Sequence, residues 1–543
     1  MTDALRAAMV RFTTVEASLW PRAASALAAL GFNAVDLPLV WREHETAGGG
    51  FDLTVGRRSV GAALDAVSAA GLRAVVRVGP MPVPDAAGLG IPDRVLFDRG
   101  CQARTRRQNP VVVPDPPRLV PLPSLASAAF RREASAWVTA ACTAVAPWVT
   151  SGVIARVVLG HGPHALLRDD PFEMDHHPDA RGERTPVAPP HHGPQGEARG
   201  EVALETDRTR DYLLALVRAA TESGIPPEVL SLAISGGVMA SATALALAAA
   251  YPLVLSPGSP AAGTAGLWRQ VRYGSALARG AHWDLRAGNA PFEPPTRATH
   301  TTQCARAALT AGAVDYTVVM GCAGDRWVGA LLDERAVPRA HAPFWAALNA
   351  WAAGLPTGVE RVATLVTTAA EVTAARAATA VHPLPLGLLT WRGLTPGELA
   401  DPAARVDDGT LGAHEADAQA LERALTDAGL PWRRAPAGGD GPAYEGGQDR
   451  EAFVLRARGA LAGVTVTVEP AGGALVRAVE TDRGLRVMAL SAADETVTVH
   501  PPEGWGGGAV SLAPGEVVVL SAPPTALRST AGGDGDGDGG VTP

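Results

Sequence analysis

Over its first two-thirds the chain alternates between two spacings of apolar residues. From Trp20 to Leu30 (WPRAASALAAL) apolar positions recur at helical spacing, and Gly31 stands where a C-cap belongs. The next run, Asn33 to Val40 (NAVDLPLV), is short and almost wholly apolar, as a strand buried on both faces would be. A polar turn, WREHETAGGGFDL, leads to a second helical stretch, Ser59 to Ala70, which Gly71 closes before the strand Leu72 to Val78. Two strand-then-helix units in succession predict right-handed crossovers and a parallel sheet. After a Pro- and Arg-rich loop, Met81 to Pro123, the order resumes with a helix from Leu125 to Val149 and the stretch SGVIARVVLGHGPH, Ser151 to His164. That stretch reads as an inner strand whose Gly-rich end presents His161.

The alternation continues through helix Asp207 to Ser223, strand Leu230 to Ser235, helix Ala240 to Ala250, strand Leu253 to Leu255 and helix Gly266 to Arg279. The region Ala281 to Pro295, helix Thr301 to Ala311, strand Val314 to Met320 and helix Pro343 to Ala353 complete it. Roughly eight such units in about 350 residues predict a (β/α)8 TIM barrel over residues 1–354, with any chemistry at the strand ends. The segment Arg168 to Gly200, dense in Pro, Gly and histidine, interrupts the pattern and reads as a long surface loop. Residues 355–440 hold one clear amphipathic helix, Glu415 to Ala428, and read as a small α/β or linker region. Over 441–525 short runs (Phe453 to Arg456, Val464 to Val468, Leu485 to Leu490, Thr496 to His500, Glu516 to Leu520) alternate between turns, predicting a small antiparallel β-sandwich. Residues 526–543 read as a disordered acidic Gly/Asp tail, without the closing Glu of an EF-hand loop.

With 543 residues the chain has ample material for a core, and its formal net charge of −8 argues against nucleic acid or an anionic membrane as the main partner. The basic run Arg104 to Arg107 reads as solvated. Cys101, Cys142, Cys304 and Cys322 show neither C-x-x-C pairing nor metal spacing, so reduced and mostly buried thiols are expected. His161, His164, His176, His177, His191 and His192 are loosely spaced among prolines; a surface loop is expected, with a zinc site as the alternative. The apolar run Val238 to Leu255 carries Pro252 and reads as a buried helix and strand rather than a membrane span. The N-terminus shows no apolar signal segment, which points to the cytoplasm, and no cofactor is expected.

Three stretches in order carry a family resemblance: GFNAVDLPLVWREHETAGGGFDL, GLRAVVRVGPMPVPDAAGLGIPDRVL and ALTAGAVDYTVVMGCAG. Over about residues 5 to 350 the chain resembles retaining β-galactosidases of glycoside hydrolase family 35, related to family 42. The resemblance implies that His161 stands where the family carries its acid/base glutamate, with Gly160 in place of the preceding asparagine. It implies that Asp284, in HWDLRAG, stands at the nucleophile position. Asp85 falls on an acidic sugar-contacting turn, and Arg42 replaces an asparagine after Trp41.

A retaining glycosidase needs two carboxyl groups about 5–5.5 Å apart, one a proton donor and one a nucleophile. This sequence aligns at most one. The expectation is therefore a degenerate, carbohydrate-binding or scaffold protein with Trp41, Arg42, Glu45, Asp85 and Trp283 as substrate-binding candidates. An active hydrolase with a modified His161/Asp284 pair and a purely structural subunit are the alternatives. Asp169, Asp170, Glu173, Asp175 and Glu293 are candidate replacement acids, each also readable as a solvated loop charge. His44 and Glu45 either brace their loop or touch sugar. Arg77 reads as a buried partner for a carboxylate such as Asp36, and Trp268 and Trp327 as core or sugar platforms. The expected partners are a carbohydrate ligand and, as an open alternative, a second copy of the chain in a homo-oligomer.

Overall fold

The computed structural model describes residues 4–81, 86–105, 107–115, 118–160, 175–181, 196–234, 247–256, 263–278, 280–286, 298–322, 329–366, 420–435, 441–444 and 448–523. Eight parallel strands close into a barrel: β1 (Arg6–Val10), β2 (Ala34–Pro38), β3 (Arg73–Arg77), β4 (Ile154–Gly160), β5 (Leu230–Ile234), β6 (Leu253–Leu255), β7 (His282–Arg286) and β8 (Asp315–Cys322). Each strand pairs with the next in the chain, and β1 closes the ring by pairing with β8. The helices between them include α1 (Trp20–Ala29), α2 (Val60–Ala69), α3 (Ala128–Thr150), α4 (Gly196–Glu222), α5 (Gly263–Leu277), α6 (Ala298–Ala311) and α7 (Ala342–Ala353). Ser59 and Ser127 cap α2 and α3 by accepting from Ala62 N and Phe130 N.

Alternation along each strand divides the barrel interior into layers. Ala7, Ala34, Val75, Val158, Ala233 and Val254 form one apolar cluster. Met9, Val40, Ala86, Val319, Met320 and Ala330 form a second at the C-terminal ends of β1, β2 and β8. Between them the same parity points Asp36, Arg77, His282, Asp284 and Thr317 inward, all buried.

Chain around the barrel departs from two expectations. Arg104, read as part of a solvated basic run, is buried and donates from Nη2 to Arg99 O at 2.6 Å. His177, read as part of a surface loop, is also buried, with Nε2 at 3.0 Å from Gly100 O. Both shield loop carbonyls that have no strand partner, which is work for a buried cation or imidazole. His161, His164, His191 and His192 lie outside the described residues.

Chain contacts divide the protein into two units, the second comprising Leu355–Leu365, Ala418–Arg433 and Gly438–Pro543. In the second unit, strands Ala474–Thr481, Gly484–Ser491 and Val517–Ser521 form an antiparallel sheet that strand Val359–Arg361 extends. A three-stranded antiparallel sheet (Thr467–Glu469, Val497–His500, Val510–Leu512) is the other layer expected of a sandwich. Residues 420–427 are helical, within the span expected for the amphipathic helix. The expected strand Phe453 to Arg456 is instead part of helix α8 (Arg450–Ala460). Asp449 caps it by accepting from Glu451 N and Ala452 N, and Phe453 and Ala457 bury one helical face at i and i+4.

At the C-terminal rim β3 and β4 approach so closely that a Cβ on Gly79 would lie 1.8 Å from Gly160 O. Gly79→Ala must push the two strands apart and is expected to cost about 1–3 kcal/mol. A lowered midpoint in urea unfolding checks this, and an unchanged midpoint contradicts it.

Candidate functional site

Arg77 ends β3 with its guanidinium held between two carboxylates. Its Nε donates to Asp36 Oδ1 and Oδ2 at 3.0 and 2.8 Å, and its Nη2 to Asp36 Oδ2 at 2.7 Å. On the other side Nη1 donates to Asp284 Oδ2 at 3.0 Å and Nη2 to Asp284 Oδ1 at 2.5 Å. All three residues are at most 3% exposed. The expected Arg77–Asp36 pair is thus present, and Asp284 joins it from β7.

The network continues through β8. Thr317 Oγ1 donates to Asp36 Oδ2 at 2.9 Å, which commits its only proton. It must then accept from His282 Nε2, 2.7 Å away. This fixes His282 as the neutral Nε2–H tautomer, with Nδ1 buried and unpartnered. Burial holds its pKa well below the usual range, and the nearby Arg156 and Arg77 charges push the same way. Burial works against the Arg77 charge, but Asp284 and Asp36 outweigh it and raise its pKa. For Asp284, burial pushes the carboxyl above its ordinary value against the pull of Arg77, and Asp36 adds to the push.

Asp36, His282 and Asp284 offer metal-ligand atoms within 4.8 Å of one another. Arg77 already supplies the positive charge there and engages both carboxylates, so a divalent ion would have to displace it. Ser256 Oγ adds a long contact of 3.5 Å to Asp284 Oδ2.

Two tryptophans proposed to meet sugar lie elsewhere. Trp283 is one residue out of phase with Asp284, so it points out of the barrel into the helix layer. There a Cβ on Gly274 of α5 would fall 2.5 Å from its ring, so a glycine makes room for it. Trp41 is fully buried and stacks on Trp137 of α3, with centroids 6.4 Å apart and planes at 3°. Trp268 is likewise buried, with Arg272 over its ring. A ring stacked against protein on this scale leaves no face for a pyranose.

The polar residues of the first turn brace one another. Arg42 makes two parallel bonds to Asp93, Nη1–Oδ1 at 2.6 Å and Nη2–Oδ2 at 2.8 Å. Glu45 accepts from Arg94, which also donates to Glu133. Buried His44 keeps Nδ1 at 3.0 Å from Asp52 O, and Glu43, which the sequence reading did not single out, pairs with Arg11 and Thr13. Among the replacement acids, Asp175 is buried and accepts from Arg104 N and His177 N. His161, Asp85, Asp169, Asp170, Glu173, Glu293 and Trp327 lie outside the described residues.

The sequence model of the family described as Glycosyl hydrolases family 35 matches residues 3–109. Solved structures share the fold. A β-galactosidase from Bacillus circulans sp. alkalophilus is 8% identical with a TM-score of 0.66, covering 96% of this chain and 99% of that one. A β-galactosidase from the psychrophilic Marinomonas ef1 is 11% identical with a TM-score of 0.62, covering 96% and 100%. The cold-adapted β-galactosidase from Rahnella sp. R3 is 11% identical with a TM-score of 0.60, covering 96% and 98%. No curated protein matches the sequence. The chain therefore has a β-galactosidase-like glycoside hydrolase fold and resembles family 35 in the stretch that carries β1 to β3.

The triad makes two measurable statements. Arg77→Met strands two buried carboxylates and is expected to cost about 3–5 kcal/mol in urea unfolding. Asp284→Asn, which leaves Arg77 paired with Asp36, is expected to cost less; the reverse order would contradict the arrangement. His282 has a folded-state pKa below its unfolded value of about 6.5, so its contribution to stability is complete above that pH. It is lost progressively as pH falls below about 6.5, because the unfolded chain takes up the proton first. His44, also held neutral mainly by burial, acts in the same window. His282→Gln is therefore expected to flatten, without abolishing, the loss of stability between about pH 7.5 and 5.

Proposed function

We propose that this protein is a non-hydrolysing relative of β-galactosidases, a carbohydrate-binding or scaffold protein of the cytoplasm. The observation that carries the reading is the engagement of both Asp284 oxygens by Arg77 in a fully buried setting. A nucleophile must be ionised and must bring a free oxygen to within about 3–3.5 Å of the anomeric carbon. Arg77 blocks the second requirement here, because it engages both oxygens. The part-exposed pairs Arg42–Asp93 and Arg94–Glu45 offer donors and acceptors suited to sugar hydroxyls and support the carbohydrate-binding form of the reading. Four buried free thiols suit a reducing compartment.

Wild-type protein incubated with an aryl β-galactoside is expected to show no turnover, whereas galactose or lactose is expected to raise its melting temperature. Arg42→Ala should remove that rise. Turnover at about 1–1000 per second that Asp284→Ala abolishes would overturn the proposal in favour of a hydrolase using a modified His161/Asp284 pair. Neither turnover nor sugar binding would favour the structural-subunit reading. Turnover that appears only in a His161→Glu/Asp284→Glu double variant would mark a decayed site.

A further inference from the structure

In the second unit, the helix at 420–427 and α8 flank a groove of about 420 Å³ lined by Ala420, Ala424, Arg450, Val454, Leu455 and Arg458. Its floor is apolar, with small residues one helical turn apart on one wall. Leu455 is 71% exposed on the other, more than any other large apolar side chain among the described residues. The rim is basic, since Arg450 and Arg458 outnumber the one acidic lining residue, Glu451.

We propose that the occupant is the chain's own C-terminal segment, with the run GDGDGDG around Asp534, Asp536 and Asp538 lying along α8. Three features of the chain converge on it. Charge is complementary, because the run carries three carboxylates and the rim two arginines against one glutamate. Spacing matches as well. Alternate residues of an extended segment point the same way, so the three aspartates present one acidic edge about 13 Å long. Arg450 and Arg458 are eight residues apart on a helix, about 12 Å along its axis. Intervening glycines let the backbone come close to Ala420 and Ala424. Finally, the reach suffices: eleven residue-to-residue steps lead from Pro523 to Asp534, about 36–40 Å when extended. A unit of roughly 130 residues has a radius of gyration near 14 Å, so the acidic run can reach any part of its surface. Tethering supplies an effective concentration in the millimolar range, which compensates for ion pairs that are individually weak.

The contact is testable because the sequence contains no lysine. Arg458→Lys keeps the charge and introduces a single side-chain amine into the full chain. Treated with a carbodiimide at low ionic strength, this variant is expected to form an amide between position 458 and Asp534, Asp536 or Asp538, read by peptide mass spectrometry. The product should be monomeric, and its yield should not depend on protein concentration. It should fall several-fold when salt reaches about 1 M, where the Debye length is near 3 Å. Asp534→Asn/Asp536→Asn/Asp538→Asn should abolish it. The control is Arg483→Lys, placed on the exposed turn between Thr481 and Gly484. Equal yields at 458 and 483, no tail cross-link at 458, or cross-links found only in covalent dimers would each overturn the proposal.

Discussion

A guanidinium clasped between two carboxylates in the interior of a closed barrel sets the terms for the rest of this molecule. Taking three charges out of water is expensive, and the cost is recovered only if geometry is good and spare lone pairs are satisfied. Arg77 gives every one of its nitrogens a carboxylate partner, and Thr317 and His282 complete the Asp36 side. The network joins β2, β3, β7 and β8, so it fixes which strands face one another across the interior. Apolar clusters on its two sides keep water out and raise the stakes of each bond.

A fold shared with β-galactosidases brings a carboxylate on β7 to the barrel interior, but a position in a fold is not a role. A carboxylate can attack carbon or neutralise an arginine; both tasks need it ionised, and they differ in whether an oxygen is left free. In Asp284 both oxygens are bonded to Arg77.

Much of this was legible from sequence, and the failures have physical causes. Spacing of apolar residues located the barrel strands because strands covered on both faces read as continuous apolar runs. The Arg77–Asp36 pair was legible because a charged residue inside such a run has to meet an opposite charge. Its third member was not, since Asp284 lies 207 residues away and only closure brings it in. The signal that could have found it was parity: in HWDLR, His282 and Asp284 share one face and Trp283 takes the other. Reading Trp283 and Asp284 as neighbours in one site ignored that alternation. At the C-terminal end, a run of Phe, Val and Leu looked like a strand, but Asp449 as cap and the Phe453/Ala457 spacing settled a helix.

Barrel closure by β1 also has a consequence for synthesis. One edge of β1 pairs with β2, which follows within a few dozen residues, while the other waits for β8. Leu5 N, for example, donates to Asp315 Oδ1 across 310 positions. At about 5–20 residues per second, the first strand emerges from the ribosome with an unmatched row of amides and carbonyls for roughly 15–60 seconds. An edge of that kind is a template for pairing with another nascent chain. Of the barrel strands, β1 is therefore made first and is among the last to be sealed, and its exposure is timed by translation rather than by folding.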